Sequence, residues 1–328
     1  MHIPDNYLSP STCAVMGAVM VPVLAVSVKK VKAEITRAKM PMLGIGAAVS
    51  FLVMMFNVPV PGGTTAHAIG GTLIAILLGP FSACISITVA VLIQALLFGD
   101  GGILALGANA FNMAFVLPFV GYFVYKCVKD RVKSERGEYI GAFVGSYVGI
   151  NAAALMAAIQ FGIQPLLFHT ATGQALYCPY PLSVSIPAML IPHILIAGFV
   201  EALFTVSILA FIRKISPESL YEGGIKRSKA IYALLAALIC LVPLGLLAEA
   251  TAWGEWGADE IGSVVSGGAA LGYVPEGILN GFKMDALMAD YSVAGLPAAV
   301  GYVLSAACGV AVTIILFRIA GSFIADKK

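Results

Sequence analysis

Charge is what this chain has least of: Asp, Glu, Lys and Arg together supply 11% of its 328 residues, beside a hydrophobic share of 60% and a mean hydropathy of +0.96. A soluble globular domain, with an apolar share of ~45–50%, is excluded. No G-x-x-x-x-G-K-[ST] segment occurs, nor even a Gly-Lys dipeptide, so the chain lacks the phosphate loop that ATP hydrolysis needs. Equally missing are an H-E-x-x-H helix and a G-x-S-x-G elbow, which removes the machinery of a membrane protease or hydrolase. Six cysteines, at 13, 84, 127, 178, 240 and 308, stand far apart without a C-x-x-C pair and read as small core residues, not as a disulfide framework.

What remains is apolar runs long enough, at roughly 17 to 25 residues, to cross a bilayer as helices. They predict an all-α polytopic membrane helical bundle with nine spans, near 11–28, 42–57, 66–79, 81–98, 103–125, 139–161, 186–212, 230–250 and 294–320. The basic residues fix its orientation. All but Lys283 fall into four clusters: Lys29, Lys30, Lys32, Arg37 and Lys39; Lys126, Lys129, Arg131, Lys133 and Arg136; Arg213, Lys214, Lys226, Arg227 and Lys229; and Arg318, Lys327 and Lys328. Positive charge stays cytoplasmic, so these regions lie inside, the amino terminus lies outside and the carboxyl terminus lies inside. Charge after the first apolar run, and not before it, argues against a cleaved signal peptide and for retention of Met1. The clusters read as solvated loops that carry topology, and no nucleic-acid partner is expected.

The third span is short and glycine-rich, as segments that line a cavity at membrane depth often are. Pro59, Pro61, Gly62 and Gly63 predict a tight outer loop that delivers Thr64, Thr65 and His67 to the outer mouth of the bundle. Gly141, Gly145 and Gly149 form a smooth ridge on the sixth span. Internal helix packing is the favoured reading, docking of a partner membrane subunit the alternative, with Ala14 and Ala18 a fainter candidate of that second kind.

The chain opens MHIPDNYLSP, with a histidine directly after the first residue. The Met1 amine, the His2 amide nitrogen and the His2 imidazole can close adjacent chelate rings on one ion, and His67 can supply a fourth nitrogen. Square-planar nitrogen donation suits Ni(II) or Cu(II) far better than Mg or Ca. Taken singly, His2 reads as a terminal residue without a role and His67 as a satisfied polar residue; their shared side of the membrane joins them. His169, His193 and Glu201 read as structural hydrogen-bonding groups, although a buried acid such as Glu201 is a functional candidate by default. Gln94, Asn109 and Asn112 stand near the outer ends of spans four and five, where they can orient His67 or close the site. Gly99-Asp100-Gly101-Gly102 reads as a turn.

MHIPDNYLSP, GGTTAHAIGGTLIAILLGP, LIQALLFGDGGILALGANAFNMA and PHILIAGFVEAL, in that order over residues 1–212, resemble the CbiM/NikM family, the substrate-binding membrane subunits of cobalt and nickel energy-coupling-factor importers. The resemblance implies about seven helices in this part and a metal held by Met1, His2 and His67. Asn6 stands where the family has Gly, and Thr65 with Ala66 where it has Ser-Gly; Asn tolerates positive φ. Residues 230–328, after a cytoplasmic linker at 213–229, resemble the NikN or PDGLE module, two helices around an extracytoplasmic loop. Pro275-Glu276-Gly277-Ile278-Leu279 and Ala289 to Leu296 are the matching pieces, with Glu276 in place of Asp.

That resemblance implies a transporter subunit in a prokaryotic cell membrane, not an enzyme, with no catalytic cofactor and Ni2+ or Co2+ as cargo. The fusion favours nickel. Its implied partners are a coupling membrane subunit (CbiQ/NikQ-like), ATPase subunits (CbiO/NikO-like) and membrane lipid. A stand-alone secondary carrier is the alternative, but it calls for paired intramembrane acids that the spans lack. A membrane metalloenzyme using the same nitrogens is a third reading, disfavoured if no coordination position stays open. Amine coordination predicts weaker metal binding in acid, because a group with a reference pKa of ~7.7–8.0 must lose its proton. Titration of metal affinity across mildly acidic pH checks this, and a flat profile contradicts it.

Overall fold

The computed structural model describes residues 1–34, 40–215, 229–248 and 250–323. Arg37, Lys39, Lys226, Arg227, Lys327, Lys328 and most of the linker expected at 213–229 lie outside them. In chain order the elements are α1 (Pro10–Glu34), α2 (Met40–Met54), β1 (Val58–Val60), β2 (Thr64–Ala66), α3 (Gly71–Leu78) and α4 (Pro80–Ile93). Next come α5 (Leu106–Asn109), α6 (Leu117–Arg131), α7 (Glu135–Gly162), α8 (Gln164–Leu167), α9 (Leu182–Pro192), α10 (Gly198–Ile215) and α11 (Lys229–Leu241). The series closes with β3 (Val265–Ser266), β4 (Ala269–Ala270), α12 (Glu276–Asn280) and α13 (Ala298–Ser322). Wide π-type turns join α5 to α6 and α9 to α10.

Among the described residues seven helical stretches are long and apolar enough to cross a membrane: Pro10–Ala33, Pro80–Phe98, Leu106–Arg131, Glu135–Leu167, Leu182–Lys214, Ala230–Leu247 and Ala298–Ser322. Of the other two expected spans, α2 is a shorter apolar helix buried at every residue. The third expected span, 66–79, is helical only over Gly71–Leu78, about 12 Å at 1.5 Å per residue. Its first residues instead finish an antiparallel hairpin, Val58 opposite Ala66 and Val60 opposite Thr64, turned by Gly62 and Gly63 at φ +99° and +70°. Span eight loses its α-helical form after Leu241, where Pro243 offers no N–H and a tighter turn runs Val242–Leu247. Span five starts at Leu106, three residues later than expected, because Ile103 and Leu104 bind a side chain of the chain start.

Small residues set how closely the helices meet. Gly141, Gly145 and Gly149 on α7 lie against the α6 backbone at Leu117, Gly121 and Tyr125, so the ridge serves internal packing. Ala14 and Ala18 on α1 are exposed, while the neighbouring Gly17 takes the close approach of Gly107 on α5. α13 packs along α2, with Gly309 admitting the Phe51 ring and the Tyr302 hydroxyl donating to the Met55 carbonyl at 2.9 Å. The carboxyl-terminal part is thus built into the bundle core. Cys13, Cys84 and Cys178 are buried as expected, whereas Cys240 is exposed and Cys127 and Cys308 are half-buried; all six are free.

A Cβ at Gly145 would stand 2.5 Å from the Gly121 carbonyl oxygen and 3.0 Å from the Tyr125 amide nitrogen. Gly145→Val is therefore expected to destabilise by at least the ~1–3 kcal/mol typical of overpacking, read as a lowered Tm in detergent. Gly17→Ala, where a Cβ meets nothing within 4 Å, should leave Tm unchanged or slightly raised.

Candidate metal site

The chain start is threaded into the protein. Met1 and His2 are 4% and 1% exposed and Ile3 is fully buried. A ladder of bonds to distant segments holds it there. The Ile3 N–H donates to Asn109 Oδ1 at 2.8 Å, and the Ile3 carbonyl accepts from Asn109 Nδ2 at 3.0 Å and from the Gly102 N–H at 2.8 Å. The Asp5 carboxylate accepts the N–H groups of Ile103 and Leu104 at 3.0 and 2.7 Å. Asn6 adopts φ +69°, and its amide both donates to the Phe282 carbonyl at 2.7 Å and accepts the Phe282 N–H at 2.9 Å. The Tyr7 hydroxyl donates to the Trp256 carbonyl at 2.8 Å, and the Ser9 N–H to Gln164 Oε1 at 3.0 Å. Gly101, at φ +83°, permits the close approach, since a Cβ there would lie 3.1 Å from Asn109 Nδ2 and 3.3 Å from the His2 ring.

This ladder sets His2 beside His67. The hairpin delivers His67 into a loop closed by Gly70 at φ +73°, and the two rings stand 5.0 Å apart, tilted by 33°. Nδ1 of His67 bonds the Ala68 carbonyl at 3.0 Å, which makes Nδ1 the protonated nitrogen and leaves a lone pair on Nε2. Nε2 of His2 and Nε2 of His67 are both buried and have no partner among the described residues. The lone pair on His67 Nε2 is thus free to take an ion or a water, while His193 Nε2, also buried and without a partner, stands outside this cluster. Among the described residues no three His, Cys, Asp or Glu side chains converge on one metal position, so side chains alone do not complete a coordination sphere here.

Two carboxylates flank the imidazoles. Asp100 Oδ1 lies 3.0 Å from His2 Nδ1, and Oδ2 accepts from the Tyr291 hydroxyl at 2.5 Å and from Gln94 Nε2 at 3.2 Å. Burial alone would raise the Asp100 carboxyl, but the facing His2 and the bond from Tyr291 hold it well below the usual carboxylate range. Burial and Asp100 together push the Tyr291 hydroxyl far up, which keeps it a donor. Glu255 Oε1 lies 3.3 Å from the Met1 amine, and burial raises its carboxyl against the opposing pull of that amine and of His2. His2, His67, Asp100, Glu255, Asp290 and Tyr291 all line one cavity of about 380 Å³.

The three expected site residues, Met1, His2 and His67, come together in this way. Of the polar residues expected to orient His67, Asn109 holds Ile3, Gln94 holds Asp100 and Tyr291, and Asn112 pairs with Gln160 at 2.7 and 2.9 Å; none bonds His67 itself. His169 is exposed and bonds the Thr170 carbonyl, while His193 is buried with Nδ1 on the Met189 carbonyl at 2.7 Å. Sequence reading missed Asp100, Glu255 and Tyr291. The only signals were an acid alone in a Gly-Asp-Gly-Gly turn and another between two tryptophans outside any apolar run.

Comparison with known proteins matches two family models to the chain. A family model described as the cobalt uptake substrate-specific transmembrane region matches residues 2–219, and a PDGLE domain model matches residues 227–326. A probable fused nickel transport protein LarMN of Lactiplantibacillus plantarum is 51% identical over 97% of each chain. A fused nickel transport protein NikMN of Rhodobacter capsulatus is 46% identical over 96% of this chain and 95% of that one. A crystal structure of a transition metal transporter is 53% identical, with a TM-score of 0.63 over 73% of this chain and 99% of its own.

Asn109→Ala removes both Asn109 bonds to Ile3 and leaves the Ile3 N–H unpaired, at a cost of about 1–3 kcal/mol, while the Ile3 carbonyl keeps the Gly102 N–H. The Met1 amine is then expected to react with an amine-directed reagent at neutral pH about tenfold faster or more than in the unaltered protein, as followed by mass spectrometry.

Proposed function

Because the chain belongs to the cobalt-uptake substrate-specific transmembrane family, CbiM, with a PDGLE domain fused behind it, we propose that it selects the cargo of an ATP-driven energy-coupling-factor importer. It is an integral membrane protein and a nickel/cobalt transport protein of the CbiM/NikM type, not an enzyme, and the ion is cargo. The finer reading is that the site opens to the outside, that residues 1–212 grip the ion and 230–328 cover it. Separate coupling and ATPase subunits of the CbiQ/NikQ and CbiO/NikO kinds then drive release to the inside. The clustering of basic residues supports this orientation.

The ligands are the Met1 amine, the His2 amide nitrogen and Nδ1, and Nε2 of His67. The observation that carries this is the buried chain start, which brings an amine, a backbone amide and two imidazoles together where side chains alone are too few. Nδ1 is the nitrogen of His2 that can close a six-membered ring with its own amide. It must exchange Asp100 for the ion, just as the amine must exchange Glu255. Both carboxylates then balance the positive charge of the complex from outside the ligand sphere. Four strong in-plane nitrogens suit Ni(II), and fused relatives named as nickel transport proteins favour nickel over cobalt. A secondary carrier finds no support, since the buried acids of the helices, Glu138 and Glu201, are committed to Arg213 and to backbone N–H groups respectively.

One residue added ahead of Met1 is expected to abolish high-affinity nickel binding by the purified protein, and undiminished binding overturns the amine ligand. His67→Ala should weaken binding beyond the roughly 100-fold upper range for outer-shell losses and stop metal accumulation in cells, with the protein still in the membrane. Competition between Ni2+ and Co2+ in the same binding assay decides the preferred cargo.

A further inference from the structure

The buried carboxylate of Glu201 has no part in the ligand set, yet it bonds the loop that carries His67. Glu201 stands on α10, is fully buried, and its Oε2 accepts the N–H groups of Ile69 at 2.7 Å and Gly70 at 2.9 Å. From the opposite side, the Ser50 hydroxyl on α2 donates to the Ile69 carbonyl at 2.8 Å. Ile69 is thus held at both its N–H and its C=O by two different helices. The Ala68 carbonyl of the same peptide group as the Ile69 N–H accepts from His67 Nδ1 and so decides which nitrogen of the ring keeps a lone pair. A cap on α3 would serve the amides of its first turn. Here the bonds reach Ile69 and Gly70, the two residues before the helix, where the chain turns at Gly70 with φ +73°, and the Gly71 N–H that opens the helix is directed at the same carboxylate.

We propose that Glu201 is a positioning residue for metal capture: from α10 it grips the Ile69 and Gly70 amides and thereby holds His67 with Nε2 turned toward the ion. This rests on the reading of His67 as a ligand. Because the same helix continues toward Arg213 at its other end, the grip also ties the imidazole to a long element of the bundle instead of to the hairpin alone.

The test measures Ni2+ affinity and the visible absorption band of the bound ion for purified Glu201→Ala, Glu201→Gln, His67→Ala and the double variant Glu201→Ala/His67→Ala. Glu201→Ala should bind about 10–100-fold more weakly, with its band moved toward that of His67→Ala. Glu201→Gln, whose amide oxygen can accept the same two N–H groups, should recover most of that loss. If Glu201 acts through His67, the double variant binds no more weakly than His67→Ala. Where Glu201→Ala is not recovered folded, Glu201→Asp, whose shorter side chain cannot reach both N–H groups, takes its place and should show the same band shift. Unaltered affinity and band in Glu201→Ala, losses that simply add in the double variant, or no recovery in Glu201→Gln overturns the proposal. If His67→Ala itself binds like the unaltered protein, the ligand assignment has failed, which is distinct from a failure of the clamp alone.

Discussion

An amine removed from water is costly unless something replaces its hydration, and the arrangement of the outer end of this molecule follows from meeting that cost at Met1. Glu255 faces the amine, and the next eight residues are pinned by backbone and side-chain bonds to the 101–109 region, to Gln164 and to the carboxyl-terminal loop. None of these bonds is exceptional. Together they fix the register of the chain from its first atom, which the proposed ligand set requires.

The site is shared between the two parts of the chain. His2 and His67 belong to the first, but Glu255, Tyr291 and the Phe282 peptide that receives Asn6 belong to the second. Asp100 sits at the junction, bonded on one side to the imidazole and on the other to the tyrosine hydroxyl. Movement of the loop that carries Tyr291 therefore reaches His2 through a single carboxylate.

Much of the fold was legible because lipid imposes simple rules. Apolar runs and basic clusters gave the helices, and the Gly141, Gly145 and Gly149 ridge packs inward as expected. The Gly62-Gly63 turn was readable because its backbone requires positive φ, and Asn6 takes the positive φ that its place in a family glycine position implied. Of the candidate site, the sequence pointed to Met1, His2 and His67, chiefly through the family resemblance of the segments that carry them. Asp100, Glu255 and Tyr291 act through partners 98, 254 and 191 positions away along the chain, and no periodicity records such pairings. Glu201 stood out as a buried acid, but its partners are peptide groups, which every residue carries and no sequence pattern distinguishes. The third span is helical only from Gly71, because Thr64–Ala66 pair as a strand and the backbone turns at Gly70 with positive φ.

The chain start meets the carboxyl-terminal loop through polar bonds from Met1, Asn6 and Tyr7 and through a shared apolar cluster. Carried on one polypeptide, they form at an effective concentration that covalent linkage sets on the order of millimolar. Each can stay individually weak and still be populated. Tethering of this kind lets the carboxyl-terminal loop regain its contacts with the chain start without a search for its partner.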